Sequence, residues 1–185
     1  MASGYVDVPH ATYDQWKNNT IGNEYDLDGY YGCQCWDYAS LFWRNVGFAA
    51  GYPLTGPNHA AYECWTVNKE VNKGDVFDLI YNKTEIKRGD IIVMNATPQN
   101  SAGHITFADE DYHGESIWCV GQNQGGTPSP GGGTAVTRNQ LLLTDFLGCF
   151  RYRPWQVTPP PAQIKKTKFP WQIYARKLNN RRNML

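Results

Sequence analysis

The residues best suited to chemistry lie together near the start of the chain. The stretch DLDGYYGCQCWDYASLFW, residues 26–43, sets Asp26, Asp28 and Asp37 around two cysteines, Cys33 and Cys35. Cys35 falls where this acidic loop gives way to a helical pattern. A helix N-terminus presents unpaired N–H groups and the positive end of the helix dipole, which favours a thiolate. Cys33 lies two residues earlier, outside that field, so Cys35 is the candidate nucleophile. Gln34 is placed to donate an amide N–H to an oxyanion, with the Cys35 backbone N–H as second donor.

A thiolate nucleophile calls for a histidine that moves protons and a third group that orients the ring. Of four histidines, His10 precedes the first helix, His59 lies in a Pro/Asn-rich loop and His113 in a turn. His104 follows Gly103 and begins a strand, so a rigid element fixes it. A neighbouring strand ends in VGQN, residues 120–123. Alternation along that strand puts Asn123 on the face of Gly121 and Gln122 on the other. Asn123 is the first candidate for the orienting residue and Gln122 the second.

The acidic loop permits two readings. Counting from Asp26, carboxylates fall at positions 1, 3 and 12, and Tyr30 and Gly32 offer backbone carbonyls at 5 and 7. Calcium loops use about this spacing of oxygen ligands. Position 6 is not glycine, however, and position 12 is Asp rather than the longer Glu. The other reading is an Asx-turn loop that caps the following helix.

These side chains need elements to hold them. HATYDQWKNNTIG reads as a short helix. From Gln34 to Val46 a helical pattern runs through Ala39, Phe42, Trp43 and Val46, with Gly47 as its stop. AAYECWTVNKEV reads as another helix. Four short β-rich runs follow, at 89–95, 104–110, 117–123 and 149–154. The Gly/Pro-rich run 125–136 reads as a long loop. Helices first and an antiparallel sheet after them make an α+β arrangement.

Charge divides the chain. Residues 1–150 hold 8 Lys and Arg against 17 Asp and Glu, a net −9, whereas residues 151–185 hold 9 basic residues and no acid. Residues 158–185 read as a Pro-rich linker and a basic amphipathic tail, able to bind anionic polymers or to dock on the acidic body. Residues 1–157 form the main domain. No stretch approaches the length of a membrane span, and the N-terminus lacks the pattern of a signal peptide. Nothing matches a nucleic-acid reading motif. Five cysteines leave at least one thiol free. A Cys33–Cys35 disulfide would be strained, and the absence of a CxxC pair argues against structural zinc.

DLDGYYGCQCWDYA, KRGDIIVMN, GHITFADED and IWCVGQNQGG, in that order, resemble the CHAP domain (cysteine, histidine-dependent amidohydrolase/peptidase), above all as found in phage endolysins and virion-associated lysins. The resemblance runs from Tyr13 to Pro154. It implies a papain-like fold, N-terminal helices packed on an antiparallel sheet, with Cys35 as nucleophile, His104 as base and Gln34 as oxyanion donor. It also implies a structural calcium ion held by Asp26, Asp28 and Asp37 with the carbonyls of Tyr30 and Gly32. Related lysins often read Glu-Gln-Asn where this chain has Gly121-Gln122-Asn123, so the carboxylate is missing and Asn123 is left as third member.

The implied function is a peptidoglycan hydrolase, either an endopeptidase or an N-acetylmuramoyl-L-alanine amidase. The 125–136 loop, Trp36 and Trp118 would shape its pocket, and the tail would reach anionic wall polymers. Such a lysin without a signal peptide waits in the host cytoplasm until lysis or travels in a virion. The missing carboxylate and the basic tail support a rival, a non-catalytic wall-binding or structural virion module.

Overall fold

The computed structural model describes residues 5–156; the predicted linker and tail, 158–185, lie outside the described residues. Helix α1 (Tyr13–Thr20) starts at Thr12, whose hydroxyl accepts the Gln15 N–H at 3.2 Å, and buries Tyr13, Trp16 and Thr20 along one stripe. Helix α2 (Cys35–Asn45) is buried nearly all round, from Cys35 through Tyr38, Leu41, Phe42 and Trp43. It ends at Gly47, whose φ of +101° is open only to glycine without strain. The third predicted helix is two short ones, α3 (Glu63–Thr66) and α4 (Lys69–Lys73). Asn68 divides them: its side chain donates to the Thr55 carbonyl at 2.8 Å, a local bond that competes with helix continuation.

Six strands form one antiparallel sheet: β1 (Phe77–Ile80), β2 (Ile91–Met94), β3 (His104–Ala108), β4 (Ser116–Gly121), β5 (Thr137–Leu142) and β6 (Phe146–Tyr152). Their order is β1-β6-β2-β3-β4-β5, so the last strand lies between the first two. A short helix, α5 (Arg153–Gln156), follows. Four strands match the sequence expectation. β1 and β5 do not, because they are the sheet edges: β5 reads TRNQLL and alternates half-buried with exposed positions, leaving little apolar signal.

Both faces of the sheet are covered. On one face Ile91, Val93, Ile105, Phe107 and Phe150 meet the helices. On the other, Ile92, Ala108, Cys119 and Cys149 pack with Ile80, Ile86, Ile117 and Leu143. Trp16 stacks on Tyr38 at 5.4 Å, and Phe42 meets Phe107 edge-on at 5.3 Å. Each such ring contributes about 1.5–3 kcal/mol on burial. These contacts seat α1 and α2 on β3 and so fix where the N-terminus of α2 meets the start of β3. No helix among the described residues is long and apolar enough to cross a membrane.

Candidate active site

Cys35 is the first residue of α2, and His104 the first of β3. The chain enters β3 through Gly103 at φ +68°, where a Cβ would come within 2.5 Å of the Met94 carbonyl oxygen and 2.9 Å of the Tyr62 Cβ. Only glycine lets the strand begin so close to its neighbours, and His104 is aimed from that turn. The Cys35 thiol is buried, and the His104 side chain and the Ile105 backbone N–H act on it. Burial opposes the thiolate, but the His104 charge, its hydrogen bond and the Ile105 N–H outweigh burial and hold the thiol pKa below its ordinary value. Burial likewise opposes protonated His104, yet Cys35 and a bond with Gln124 hold its pKa above the usual imidazole value. Each group favours the charged form of the other, as a thiolate–imidazolium pair requires.

The other histidines are engaged elsewhere or exposed. His10 Nδ1 contacts the Val8 carbonyl at 2.8 Å, His113 Nε2 meets Glu110 at 2.7 Å, and His59 is exposed.

The expected orienting residues do not reach His104. Asn123 turns away at φ +54° and donates from Nδ2 to Gln34 Oε1 at 2.7 Å. Gln122 is fully buried; it exchanges hydrogen bonds with the Tyr25 backbone at 3.0 and 2.6 Å and donates to the Gln34 carbonyl at 2.9 Å. Gln124 Oε1 is the atom against His104 Nε2, at 3.1 Å. Strand alternation misassigned the partner because β4 ends at Gly121, and beyond it the chain turns. The usable signal was a third amide side chain one residue further on.

Gln34 stands at the N-cap of α2 with its side-chain amide held at both ends. Nε2 donates to the Tyr31 carbonyl at 2.6 Å and Oε1 accepts from Asn123. One N–H of that amide is committed and the second is left to donate. Trp36 Nε1 donates to the Pro53 carbonyl at 2.8 Å. Trp118, expected in the pocket, instead lies under the Arg138 guanidinium at 4.2 Å.

The three acidic side chains do converge: Asp26, Asp28 and Asp37 each bring a carboxylate oxygen within 4.8 Å of the others. Asp26 accepts the Gly29 N–H, Asp28 the Tyr30 N–H, and Asp37 the N–H groups of Leu27 and Gln34, all at 2.8–2.9 Å. The Asx-turn reading holds in this loop, and those turns bring the three carboxylates together. Burial raises the Asp37 pKa to about 7; the two N–H bonds pull it down and the Asp28 and Asp26 charges push it further up. Among the described residues no Lys or Arg pairs with these carboxylates. Hard oxygen donors around a charge deficit fit a calcium-type cation. Tyr30 and Gly32 lie in the same turn and contribute no side-chain ligand.

The 125–136 loop is strapped to this turn. Cys33 N–H donates to the Gly132 carbonyl at 2.9 Å, and a Cβ on Gly133 would overlap the Cys33 carbonyl. The Cys33 thiol is buried, and Ser129 of the same loop donates to Glu24 at 2.6 Å. Burial raises its pKa, the opposite of Cys35. Cys33 is thus a tether between loops, and all five cysteines are free thiols.

Residues 23–123 match the CHAP domain family. The D-alanyl-L-alanine endopeptidase of Streptococcus phage B30 is 31% identical over 122 residues, 63% of this chain and 25% of that protein. The probable autolysin PH of Staphylococcus aureus (strain NCTC 8325 / PS 47) is 29% identical over 140 residues, 71% of this chain and 28% of that protein. This chain therefore spans only about a quarter of the length of either relative. Among solved structures, the wild-type endolysin LysIME-EF1 superposes with a TM-score of 0.60 at 23% identity, covering 79% of this chain and 66% of that one. At that identity the likeness establishes the shared fold.

Proposed function

The chain belongs to the CHAP domain family, and from that premise we propose that it hydrolyses an amide bond of bacterial peptidoglycan with Cys35 as nucleophile and His104 as proton carrier. The observation that carries the reading is the Cys35–His104 pair, with the thiol pKa lowered and the imidazole pKa raised. The Cys35 thiolate attacks the amide carbonyl carbon, a C–S bond forms, and the carbonyl electron pair moves to oxygen. The free N–H of the Gln34 amide and the Cys35 backbone N–H receive that oxyanion. The intermediate collapses, the C–N bond breaks, and His104 protonates the departing amine. Water then loses a proton to His104 and attacks the thioester, releasing the acid and the thiolate.

Asp26, Asp28 and Asp37, with the carbonyls of Tyr30 and Gly32, are the proposed calcium ligands. A bound calcium ion supplies positive charge to the three carboxylates. The chain's own part is to present Asp37 from the first turn of α2, so the ligand set includes the helix that starts with Cys35.

The phage B30 relative is named a D-alanyl-L-alanine endopeptidase, which makes an endopeptidase the first reading and an N-acetylmuramoyl-L-alanine amidase the second. The basic tail would add affinity for anionic wall polymers, and the enzyme would meet the wall after release from the host cytoplasm or from a virion. The test is lysis of purified walls followed by mass spectrometry of the fragments. New amino and carboxyl termini within stem or bridge peptides are expected from the wild type, and none from Cys35→Ala. Equal lysis by both removes Cys35 as the nucleophile, and lysis by neither leaves a non-catalytic wall-binding module in place of the enzyme.

A further inference from the structure

We propose that Gln124 is the positioning residue of His104, and that from the space Gly121 leaves open it fixes the ring as the Nε2–H tautomer. The proposal rests on the hydrolase reading only for the use made of that tautomer.

The orientation of the Gln124 amide is forced. Its Nε2 end lies 3.0 Å from the Cys119 carbonyl and 3.0 Å from the Thr137 carbonyl, one on β4 and one on β5. Carbonyl oxygens only accept, so this end must be the –NH₂ group; a flipped amide would set oxygen against two oxygens. The Oε1 end therefore faces β3, where Thr106 Oγ1 lies at 2.7 Å and His104 Nε2 at 3.1 Å. An amide oxygen cannot donate, so Nε2 of His104 carries the hydrogen. The lone pair of the neutral ring is then on Nδ1, the nitrogen left to take the Cys35 proton.

Gly121 makes room for this arrangement. A Cβ there would come within 2.5 Å of both Gln124 Oε1 and Thr106 Oγ1. The Gly121 backbone has no positive φ, so the glycine is not required for its conformational freedom. Its use is the missing side chain: the Gln124 amide fills the volume that a residue at 121 would claim. A carboxylate there would add a negative charge beside a buried thiolate, whereas the amide directs the ring and leaves the local charge unchanged.

Nitrogen-15 NMR of the imidazole in the full-length Cys35→Ala variant, above the titration of the ring, reads the tautomer without catalysis. His104 is expected as Nε2–H, and as a mixture in Cys35→Ala/Gln124→Leu. An Nδ1–H ring in Cys35→Ala overturns the proposal, and so does an unchanged tautomer ratio in the double variant. The first of these readings needs no substitution at 124, so it decides even if Gln124 variants fail to fold.

With Cys35 intact, Gln124→Ala is expected to lower kcat on the order of 10²-fold, with KM changed less than about twofold. Gly121→Glu/Gln124→Ala returns an acceptor to the same space and is expected to recover at least about tenfold of the lost rate. An active wild type with unchanged kcat in Gln124→Ala sinks the positioning role. An inactive wild type sinks the hydrolase reading alone and leaves the tautomer measurement to decide this one.

Discussion

Asp109 and Asp37 are both buried carboxylates, exposed by 7% and 1%, yet their surroundings are opposite. Lys17, Arg88 and Arg138 converge on Asp109. Burial works against its charge, but the Arg138 and Lys17 hydrogen bonds and the neighbouring cations outweigh it and hold its pKa below the usual range. Around Asp37 the chain adds two more carboxylates and no cation among the described residues, and the pKa rises to about 7. Asp109 is balanced by side chains from α1, the β1–β2 connection and β5, and it ties those elements together. Asp37 has no cation beside it among the described residues, and it lies two residues from the proposed nucleophile. The first arrangement ties elements of the fold together; the second gathers negative charge beside the proposed nucleophile.

That contrast can be broken by experiment. Removing Asp109 leaves three cations facing one another, so Asp109→Ala should cost about 3 kcal/mol in chemical denaturation, short of the largest values because Arg88 and Arg138 reach water. The loss should be the same with calcium or with chelator; a loss that depends on calcium would merge the two centres. Next in size, calcium at about 100 times its Kd should add about 2.7 kcal/mol, or roughly 5–10 °C in Tm. Asp37→Asn should abolish that gain and Asp109→Ala should keep it. A calcium response that survives in Asp37→Asn would remove the cation from this loop.

A smaller effect is the pH dependence in chelator. The folded pKa of Asp37, about 7, lies above its ordinary 3.8. The native state therefore holds the proton more tightly, and the stability Asp37 contributes is present below about 4 and lost as pH rises through about 7. Its slope is at most about 1.4 kcal/mol per pH unit, and calcium should flatten it. Asp109 has the opposite sign: its contribution is present above the unfolded pKa and lost as pH falls through the depressed folded value. Denaturation midpoints across pH, in wild type and Asp37→Asn, read both. The smallest expected change is Arg88→Gln, about 1 kcal/mol or less, since its bonds to Asp14 and Asp109 are partly exposed.

The core helices and the central strands were legible because their buried residues recur at helical or strand period. Ala39, Phe42 and Trp43 marked α2, and Ile91 to Met94 marked β2. Cys35 was legible from its place at a helix start, and His104 from its place at a strand start. Edge strand β5 was not, since a strand with one wet face and polar residues has no apolar alternation to read. Gln124 was not, because its contact depends on a turn beyond β4 and on an absent side chain at Gly121, and neither leaves a periodic trace. Trp118 misled because its residue type suits a substrate cleft equally well as a platform for Arg138.

The strand order carries a consequence for how the protein comes into being. Among the described residues β1 has no sheet neighbour except β6, and β2 keeps one bare edge until β6 arrives. A chain emerging from the ribosome therefore holds Cys35 and His104 long before it can close the sheet beneath them. Folding must wait for Phe146–Tyr152, and pairing between such distant segments is slow. A chain cut short inside that strand would expose unpaired edges prone to self-association. It would not yield a smaller working unit, so the domain's competence is decided by the arrival of β6.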